Sequence, residues 1–169
     1  MIFARALAAS ILAACLLASG GAWSQTYPDH PITMIVPFPP GGATDANARI
    51  IQDSMQTSLG QPIVVENIGG AGGMIAAAKA ARADPDGYTI LIHQVALAAG
   101  VSMYQNLSFD AEKDFVTIGL VNTAASLLAG RPTLPANNFK ELLRWMKEPG
   151  QNVKIGHAGV GSFAHLAGV

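Results

Sequence analysis

The sequence predicts an α/β fold with a largely parallel sheet, and three observations support this prediction. Strand-like and helix-like segments alternate along the chain from Pro31 onwards. The first strand-like segment, Ile32–Pro37, is continuously apolar, as is typical of parallel strands buried on both faces. Loops rich in glycine or proline separate the first strands from the helices that follow them. Such alternation is typical of βαβ units.

Capping and turn residues set the expected order of elements in the first half of the chain. We expect Thr44 or Asp45 to cap a helix that ends at Gly60. The segments expected next are a second strand (Pro62–Ile68), a glycine-rich loop (Gly69–Gly73), an alanine-rich helix (74–83), a turn (Asp84–Gly87) and a third strand (Tyr88–His93).

The second half begins with a less regular segment that extends to Asp114. Asn138 and Glu141 resemble a capping box, so we expect a helix there that ends at Pro149-Gly150. The remaining expected elements are strands at 115–121, 126–130 and 153–158 and a helix that begins near Ser162. Because the sequence stops at Val169, shortly after that helix begins, we expect a fragment of a longer protein or a truncated gene.

The first 24 residues predict a secretory signal peptide. One basic residue precedes an apolar run, Ala6–Ala18, which is too short for a comfortable membrane span. The small residues up to Ser24 fit a signal-peptidase site. The alternative is a lipobox, Leu12–Cys15, in which Cys15 would be lipidated. We expect export in either case, and cleavage after Ser24 would remove the single cysteine of the chain.

Composition and motif spacing argue against several classes of function. Only 12% of the residues are charged and the net charge is -1, so the clustered cations that nucleic-acid binding needs are missing. A G-x-S-x-G nucleophile motif is absent. His157 and His165 are not at the i, i+4 spacing of a zincin helix. We therefore predict no catalytic residues, no metal site and no cofactor.

The loop after the first strand predicts a rigid cup for an anion. Prolines restrict φ before a ligand arrives, glycines permit close backbone approach, and the loop leads directly into the N-terminus of a helix. A proline-rich turn with an ordinary helix cap is an equally weighted alternative, and Asp45 is expected to be structural. The candidate ligand-binding residues here are Phe38, Pro39, Pro40, Gly41, Gly42, Ala43, Thr44 and Asp45.

Two further loops add candidate residues: the loop that begins at His93, after the third strand, and the loop Gly159–His165. The loop Gly159–His165 fits a second anion cup, and its G-x-G-x-x-A pattern is also a weak match to a dinucleotide fingerprint. A tight βα turn would explain the same glycines. The Gly69–Gly73 loop lacks the Lys-Ser/Thr pair of a nucleotide-binding P-loop. The additional candidates are His93, Gln94, Gly159, Gly161, Ser162, Phe163 and His165.

Five motifs, taken in order, resemble one known family. They are YPDHPITMIVPFPPGGATD, GQPIVVENIGGAGG, DPDGYTILIH, LSFDAEKDF and GVGSFAHLAG. The chain from Tyr27 to Val169 is similar to the Bug-type extracytoplasmic solute receptors, which are the substrate-binding subunits of tripartite tricarboxylate transporters. As an ordered set the motifs are specific to that family, although any one alone is weak.

The resemblance implies a two-lobe fold of the type II periplasmic-binding-protein kind. Residues 25–122 would form the first lobe and residues 123–169 only the start of the second. It also implies a monomeric, non-enzymatic periplasmic protein that binds a small organic acid and delivers it to membrane permease subunits, with no nucleic-acid partner. The apolar rim after His93 suggests a ligand with an apolar or aromatic part. Two alternatives are a fragment of a nucleotide-binding α/β oxidoreductase and a truncated receptor without function.

Overall fold

A three-stranded parallel sheet forms the centre of the fold. The computed structural model describes residues 26–125 and 127–168; the predicted signal peptide, Cys15 and Val169 lie outside these residues. The sheet has the order β2-β1-β3, with β1 at Ile32–Val36, β2 at Ile63–Asn67 and β3 at Thr89–Leu91. Both neighbours run parallel to β1, which confirms the predicted α/β class.

Five α-helices and one 3-10 turn accompany the sheet in the described residues. Each of the first two strands is followed by a helix on the way to the next strand, so the first half of the chain consists of βαβ units. The helices are α1 (Ala43–Leu59), α2 (Met74–Ala81), α3 (Ala96–Met103), α4 (Phe139–Met146) and α5 (Phe163–Leu166), and the 3-10 turn is Ala71–Gly73.

Helices cover both faces of β1, which explains why this strand is apolar throughout. Ile32, Met34 and Val36 point to one face and pack in a cluster that includes Ala48 of α1. Ile35 points to the other face and is completely buried. On that side α2 packs against β1 and β3. The side-chain period of two along β1 thus divides the core into two layers.

The ends of α1 and α4 show which capping predictions are right. The helix predicted to stop at Gly60 does so, because Gly60 adopts a left-handed conformation and its N–H donates to the Gln56 carbonyl. The predicted box at α4 is also confirmed, since the Asn138 side chain accepts from the Glu141 N–H. The predicted cap of α1 is wrong: the helix begins one residue before Thr44, and the N-cap is Gly42.

Three predicted strands are not formed. Residues 115–121, 127–130 and 153–158 have no strand geometry. The apolar side chains of the first two segments are largely exposed, with Val116 and Leu127 each 92% accessible. A strand requires a neighbour that accepts and donates its backbone hydrogen bonds, and the described residues pair none with these segments. Their composition favours strands, but composition alone does not supply a partner.

Within residues 26–125 and 127–168, no helix combines the length and apolarity needed to span a bilayer.

Ile35→Ala should strongly destabilise the fold. Ile35 is 0% exposed at the centre of the sheet, so its truncation leaves a cavity and should lower the free energy of unfolding by about 2–5 kcal/mol. Urea denaturation monitored by circular dichroism measures this change. The matched control is Ile50→Ala on α1, where Ile50 is 71% exposed and the change should stay within about 0.5 kcal/mol. Equal effects of the two substitutions would contradict the assignment of β1 as the core strand.

Candidate functional site

The loops that follow β1, β2 and β3 meet at the carboxyl edge of the sheet. In open parallel sheets, ligands bind at this edge where the strand order reverses. Here the reversal occurs at β1, because the chain runs from β1 to β2 on one side and then crosses to β3 on the other. The loops of β1 and β3 are therefore the expected walls of a binding site, in agreement with two of the predicted loops.

The β1 loop is anchored at its base and open at its tip. Pro37 and Phe38 are buried, whereas residues 39–43 are exposed. No side chain caps the N-terminus of α1. Since the first N–H groups of a helix have no acceptor within it, the exposed N–H groups of Gly42 and Ala43 at the start of α1 can donate to an anion, whereas Pro39 and Pro40 have no N–H. Thr44 is half-buried beside it.

The buried carboxylate of Asp45 fixes the shape of this loop. Its Oδ2 accepts from the backbone N–H of Gly41 at 2.8 Å and from Arg49 Nε at 2.9 Å. Its Oδ1 accepts from Asn67 Nδ2 at 2.9 Å, and the same amide donates to the Phe38 carbonyl at 3.0 Å. One carboxylate thus connects the β1 loop, α1 and the end of β2.

The ion pair with Arg49 explains the electrostatic state of Asp45. Hydrogen bonds from Arg49, from the Gly41 N–H and from Asn67 hold the pKa of the Asp45 carboxyl well below its usual range. The group is therefore ionised at neutral pH, and its charge is matched by the guanidinium of Arg49. Asp45 has the structural role expected from the sequence, and its oxygens are already engaged within the protein.

His93 and Gly73 join the loops of β2 and β3. The Nδ1 atom of His93 accepts from the Gln94 N–H at 2.9 Å, and its Nε2 lies 3.4 Å from the Gly73 carbonyl. Burial lowers the pKa of His93, which favours the neutral ring at pH 7. The ring also packs edge-on against Phe38, with 6.3 Å between ring centroids. Gln94 itself is exposed.

The loop Gly159–His165 lies against the glycine-rich loop of β2. A side chain at Gly72 would collide with the Val160 carbonyl, so only glycine permits this contact. The same carbonyl accepts from the Tyr104 hydroxyl at 3.0 Å. Gly161 and Ser162 are buried there, and the Ser162 hydroxyl accepts from the His165 N–H at 3.3 Å. Phe163 is 42% exposed.

The loops that contain the predicted residues therefore form one continuous surface, connected by three contacts. The β1 loop meets His93, His93 meets Gly73, and Gly72 meets the loop that contains Gly159. Sequence reasoning missed the role of the Gly69–Gly73 loop as the centre of this arrangement. It also missed α3, whose last turn supports Gly161 through Met103 and leads to Tyr104. The sequence did contain a signal for this close packing of loops: the adjacent glycines of Gly69–Gly73, which no phosphate-binding motif explains.

The surface is open in the described part of the chain. A shallow cavity of about 360 Å³ lies away from this surface, beside Asp29 and Tyr88 at the opposite edge of the sheet. A second shallow cavity, of about 380 Å³, borders the surface, since Ala71 and Tyr104 line it together with Met74 and Phe109. A ligand at the loops would thus be covered on one side only by the residues described.

The match to a dinucleotide fingerprint does not have the required structural context. The pattern Gly159–Ala164 should connect a strand to a long helix. Residues 153–158 form no strand, so the pattern lacks the strand that precedes the glycines in that motif. This geometry gives no support to the oxidoreductase alternative.

Comparison with protein families gives one match that covers most of the chain. The family profile described as tripartite tricarboxylate transporter family receptor matches residues 47–168. A UPF0065 protein from the TAR-I ttuE-ttuC' intergenic region of Agrobacterium vitis is 37% identical over 95% of this chain and 46% of its own length. BugT of Bordetella pertussis is 39% identical over 85% of this chain and 44% of its own length. The chain thus spans about half the length of the curated relatives it matches.

Solved structures show the same relation. The periplasmic binding protein BugD has a TM-score of 0.72 and 38% identity, over 84% of this chain and 48% of BugD. MatC from Rhodopseudomonas palustris with bound malate has a TM-score of 0.76 and 36% identity, over 81% and 47% of the two chains. A second R. palustris protein, with adipate, has a TM-score of 0.73 and 28% identity, over 80% and 46%. These neighbours establish the periplasmic-binding-protein fold.

Gly73→Ala should disrupt the centre of the candidate surface. Gly73 has a φ of +98°, and a Cβ there would lie 2.7 Å from His93 Nε2 and 2.9 Å from the Pro37 Cβ. Backbone strain and overpacking together should lower the free energy of unfolding by about 2–4 kcal/mol. Gly41→Ala is the matched control, because its φ is +83° but nothing lies within 4 Å. It should cost about 1–2 kcal/mol from strain alone. Urea denaturation measures the free energy of unfolding of both variants. A larger loss in Gly41→Ala than in Gly73→Ala would contradict the close packing around Gly73.

Asp45→Asn should remove a pH-dependent contribution to stability. Because the pKa of Asp45 is lowered in the folded protein, its ionised form stabilises the fold above the unfolded-state pKa of about 3.9. This contribution decreases progressively as the pH falls below that value and is fully lost only below the lower pKa of the folded state. The gap in unfolding free energy between wild type and variant should therefore be largest at pH 7 and shrink below pH 4.

Urea titrations from pH 7 to pH 3 measure the gap. Glu66→Gln is the control, since Glu66 pairs with Lys79 at an exposed position and its loss should change little. A gap at Asp45 that is constant with pH would show that its charge has no role.

Proposed function

Since the chain belongs to the tripartite tricarboxylate transporter receptor family, we propose that it is an extracytoplasmic solute-binding protein that captures a small organic carboxylate. The observation that supports this most directly is the open backbone cup of Phe38–Asp45 at the strand-order reversal. In this proposal the protein is exported to the periplasm, acts as a monomer and delivers its ligand to the permease subunits of a tripartite transporter. It has no catalytic role of its own.

Recognition in this site depends on neutral donors. Neither Phe38–Asp45 nor Gly159–His165 contains lysine or arginine, and nearby Arg49 is paired with Asp45. A carboxylate would therefore be held by backbone N–H groups, the positive end of the α1 dipole and hydroxyls such as that of Thr44. The ligand-bound neighbours with malate and adipate support a carboxylate as the class of ligand.

Residues 25–122 are proposed to be the first lobe and residues 123–169 to begin the second. The candidate surface is covered on one side in the described residues, and the long exposed apolar segments lie after Asp114. Closure of a second lobe over the loops would exclude water and strengthen the amide–carboxylate bonds. The exposed Val95 at the rim after His93 favours a ligand with an apolar part.

Thermal unfolding with increasing malate, adipate or citrate tests the proposed function. A ligand that binds only the folded state should stabilise it by about 2.7 kcal/mol at a hundred times the dissociation constant, and the gain should grow with the logarithm of concentration. Adipate should bind more tightly than citrate if the apolar rim contributes. Native mass spectrometry of the protein from its own periplasm should find a small organic acid bound. Absence of any carboxylate effect at millimolar concentrations would contradict the proposal and favour a receptor without function.

Gly42→Val should weaken carboxylate binding at least tenfold while the fold is retained. Gly42 has φ −77° and ψ 168°, a conformation that valine adopts readily, and its Cβ would lie 3.5 Å from the nearest atom, the Pro39 carbonyl oxygen. The side chain would cover the N–H groups at the start of α1. Isothermal titration calorimetry measures the affinity. The control is Gly119→Val, another open glycine in a different segment. Unchanged affinity in the Gly42 variant would remove the β1 loop from the site.

A further inference from the structure

Two backbone amides of the loop Gly159–His165 donate to histidine side chains. The Gly159 N–H donates to Nδ1 of His157 at 3.1 Å. The Gly161 N–H donates to Nδ1 of His165 at 3.4 Å. The two rings pack edge-to-face with centroids 4.9 Å apart. Each histidine therefore occupies one backbone donor of this loop.

These contacts exist only while the rings are neutral. A neutral imidazole that accepts at Nδ1 has its proton on Nε2. A protonated imidazole has N–H groups at both nitrogens and accepts no hydrogen bond. Histidine is also the side chain that ordinarily changes charge between about pH 5 and pH 8. Protonation of either ring must therefore break its contact with the glycine amide.

We propose that His157 and His165 compete internally with the carboxylate ligand for the amides of Gly159 and Gly161, and that protonation of a ring transfers its amide to the ligand. This inference rests on the proposed function. Two consequences of protonation act in the same direction: an N–H donor becomes available, and a positive charge appears in a site whose loops contain no lysine or arginine. Carboxylate affinity should therefore rise as the pH falls.

The groups that face the loop bear on this effect. Met103 and Tyr104 lie beside Gly161, and the Tyr104 hydroxyl donates to the Val160 carbonyl at 3.0 Å. None of the ion pairs among residues 26–125 and 127–168 includes His157 or His165. The closest competing charge is that of the other ring, since two imidazolium groups at 4.9 Å repel each other. The proposal therefore needs only one ring to be protonated at a time.

Calorimetric titration of the full-length protein with malate and with adipate, from pH 8 to pH 6, tests the inference. The carboxylates stay essentially ionised in this range. Uptake of one proton on binding can change affinity by up to tenfold per pH unit, so the wild type should bind about tenfold more tightly at pH 6 than at pH 8. Titration in two buffers of different ionisation enthalpy should show net proton uptake. Affinity that is flat or falls on acidification would overturn the proposal.

Paired variants separate the acceptor from the charge. In His157→Gln/His165→Gln, a side-chain carbonyl can still accept from the amides but does not titrate, so binding should be weak and independent of pH. In His157→Ala/His165→Ala the amides are released, so binding should be tighter than in the glutamine variant and again independent of pH. His30→Gln, which lies at the opposite edge of the sheet, should retain the wild-type pH dependence. Weaker binding by the alanine variant than by the glutamine variant would contradict the competition.

Nuclear magnetic resonance tests the same contacts without a ligand. The amide shifts of Gly159 and Gly161 should follow the titration of His157 and His165, and the ¹⁵N shifts of the rings should show a proton on Nε2 at pH 8. If the glycine amide shifts follow the titration of the histidine rings but neither malate nor adipate binds at any pH, the proposed function fails and the histidine contacts are confirmed. If the glycine amides do not respond, the inference fails whether or not the probes bind.

Discussion

The fold around the candidate site depends on one buried carboxylate and its hydrogen-bond partners. Asp45 is 2% exposed and its two oxygens bind a loop amide, the Arg49 guanidinium and the Asn67 side chain. A buried carboxylate is tolerated only when its hydrogen bonds and its charge are satisfied, and here both conditions are met within two turns of α1 and the end of β2. The result is a loop whose exposed tip is free while its base is fixed at three points. That combination is what pre-organised binding requires, because the conformational entropy of the loop is lost on folding and not on binding.

Glycine determines how closely the remaining loops approach this base. Gly73 lets the ring of His93 lie against the end of β2, and Gly72 lets the Val160 carbonyl lie against the following turn. His93, whose burial favours the neutral ring, then connects β3 to Phe38 through an aromatic contact. The candidate surface is thus assembled from backbone and from neutral side chains. The charges of Asp45 and Arg49, which form an ion pair beside this surface, balance each other.

Local patterns predicted most of the first half of the fold and little of the second. The apolar run of β1, the Gly60 stop and the Asn138–Glu141 box each depend on residues close in sequence, and each was predicted correctly. The predicted cap of α1 was wrong because the Asp45 carboxylate accepts hydrogen bonds from the Gly41 amide and from the Asn67 side chain. Such a network cannot be predicted from the spacing of residues. The strands expected at 115–121 and 127–130 depend on long-range partners, which composition does not reveal. In the site, the β1 loop was identified from its residues, whereas the contact between Gly72 and Val160 joins segments almost ninety positions apart and could be known only from the structure.

A site made of backbone amides faces a requirement that a site made of lysine or arginine does not. An N–H group removed from water needs an acceptor in the empty state as well as in the bound state. The β1 loop meets this requirement because its tip is exposed to water and because the Gly41 amide donates to Asp45. In the Gly159–His165 loop Gly161 and Ser162 are buried, and three of its N–H groups donate to nearby side chains: the imidazoles of His157 and His165 and the Ser162 hydroxyl. A ligand must accept a stronger hydrogen bond from each amide than the protein's own acceptor does. A carboxylate accepts more strongly than a neutral carbonyl or hydroxyl, so this competition favours carboxylates over neutral solutes. Selectivity for anions can in this way arise from a loop that contains no lysine or arginine.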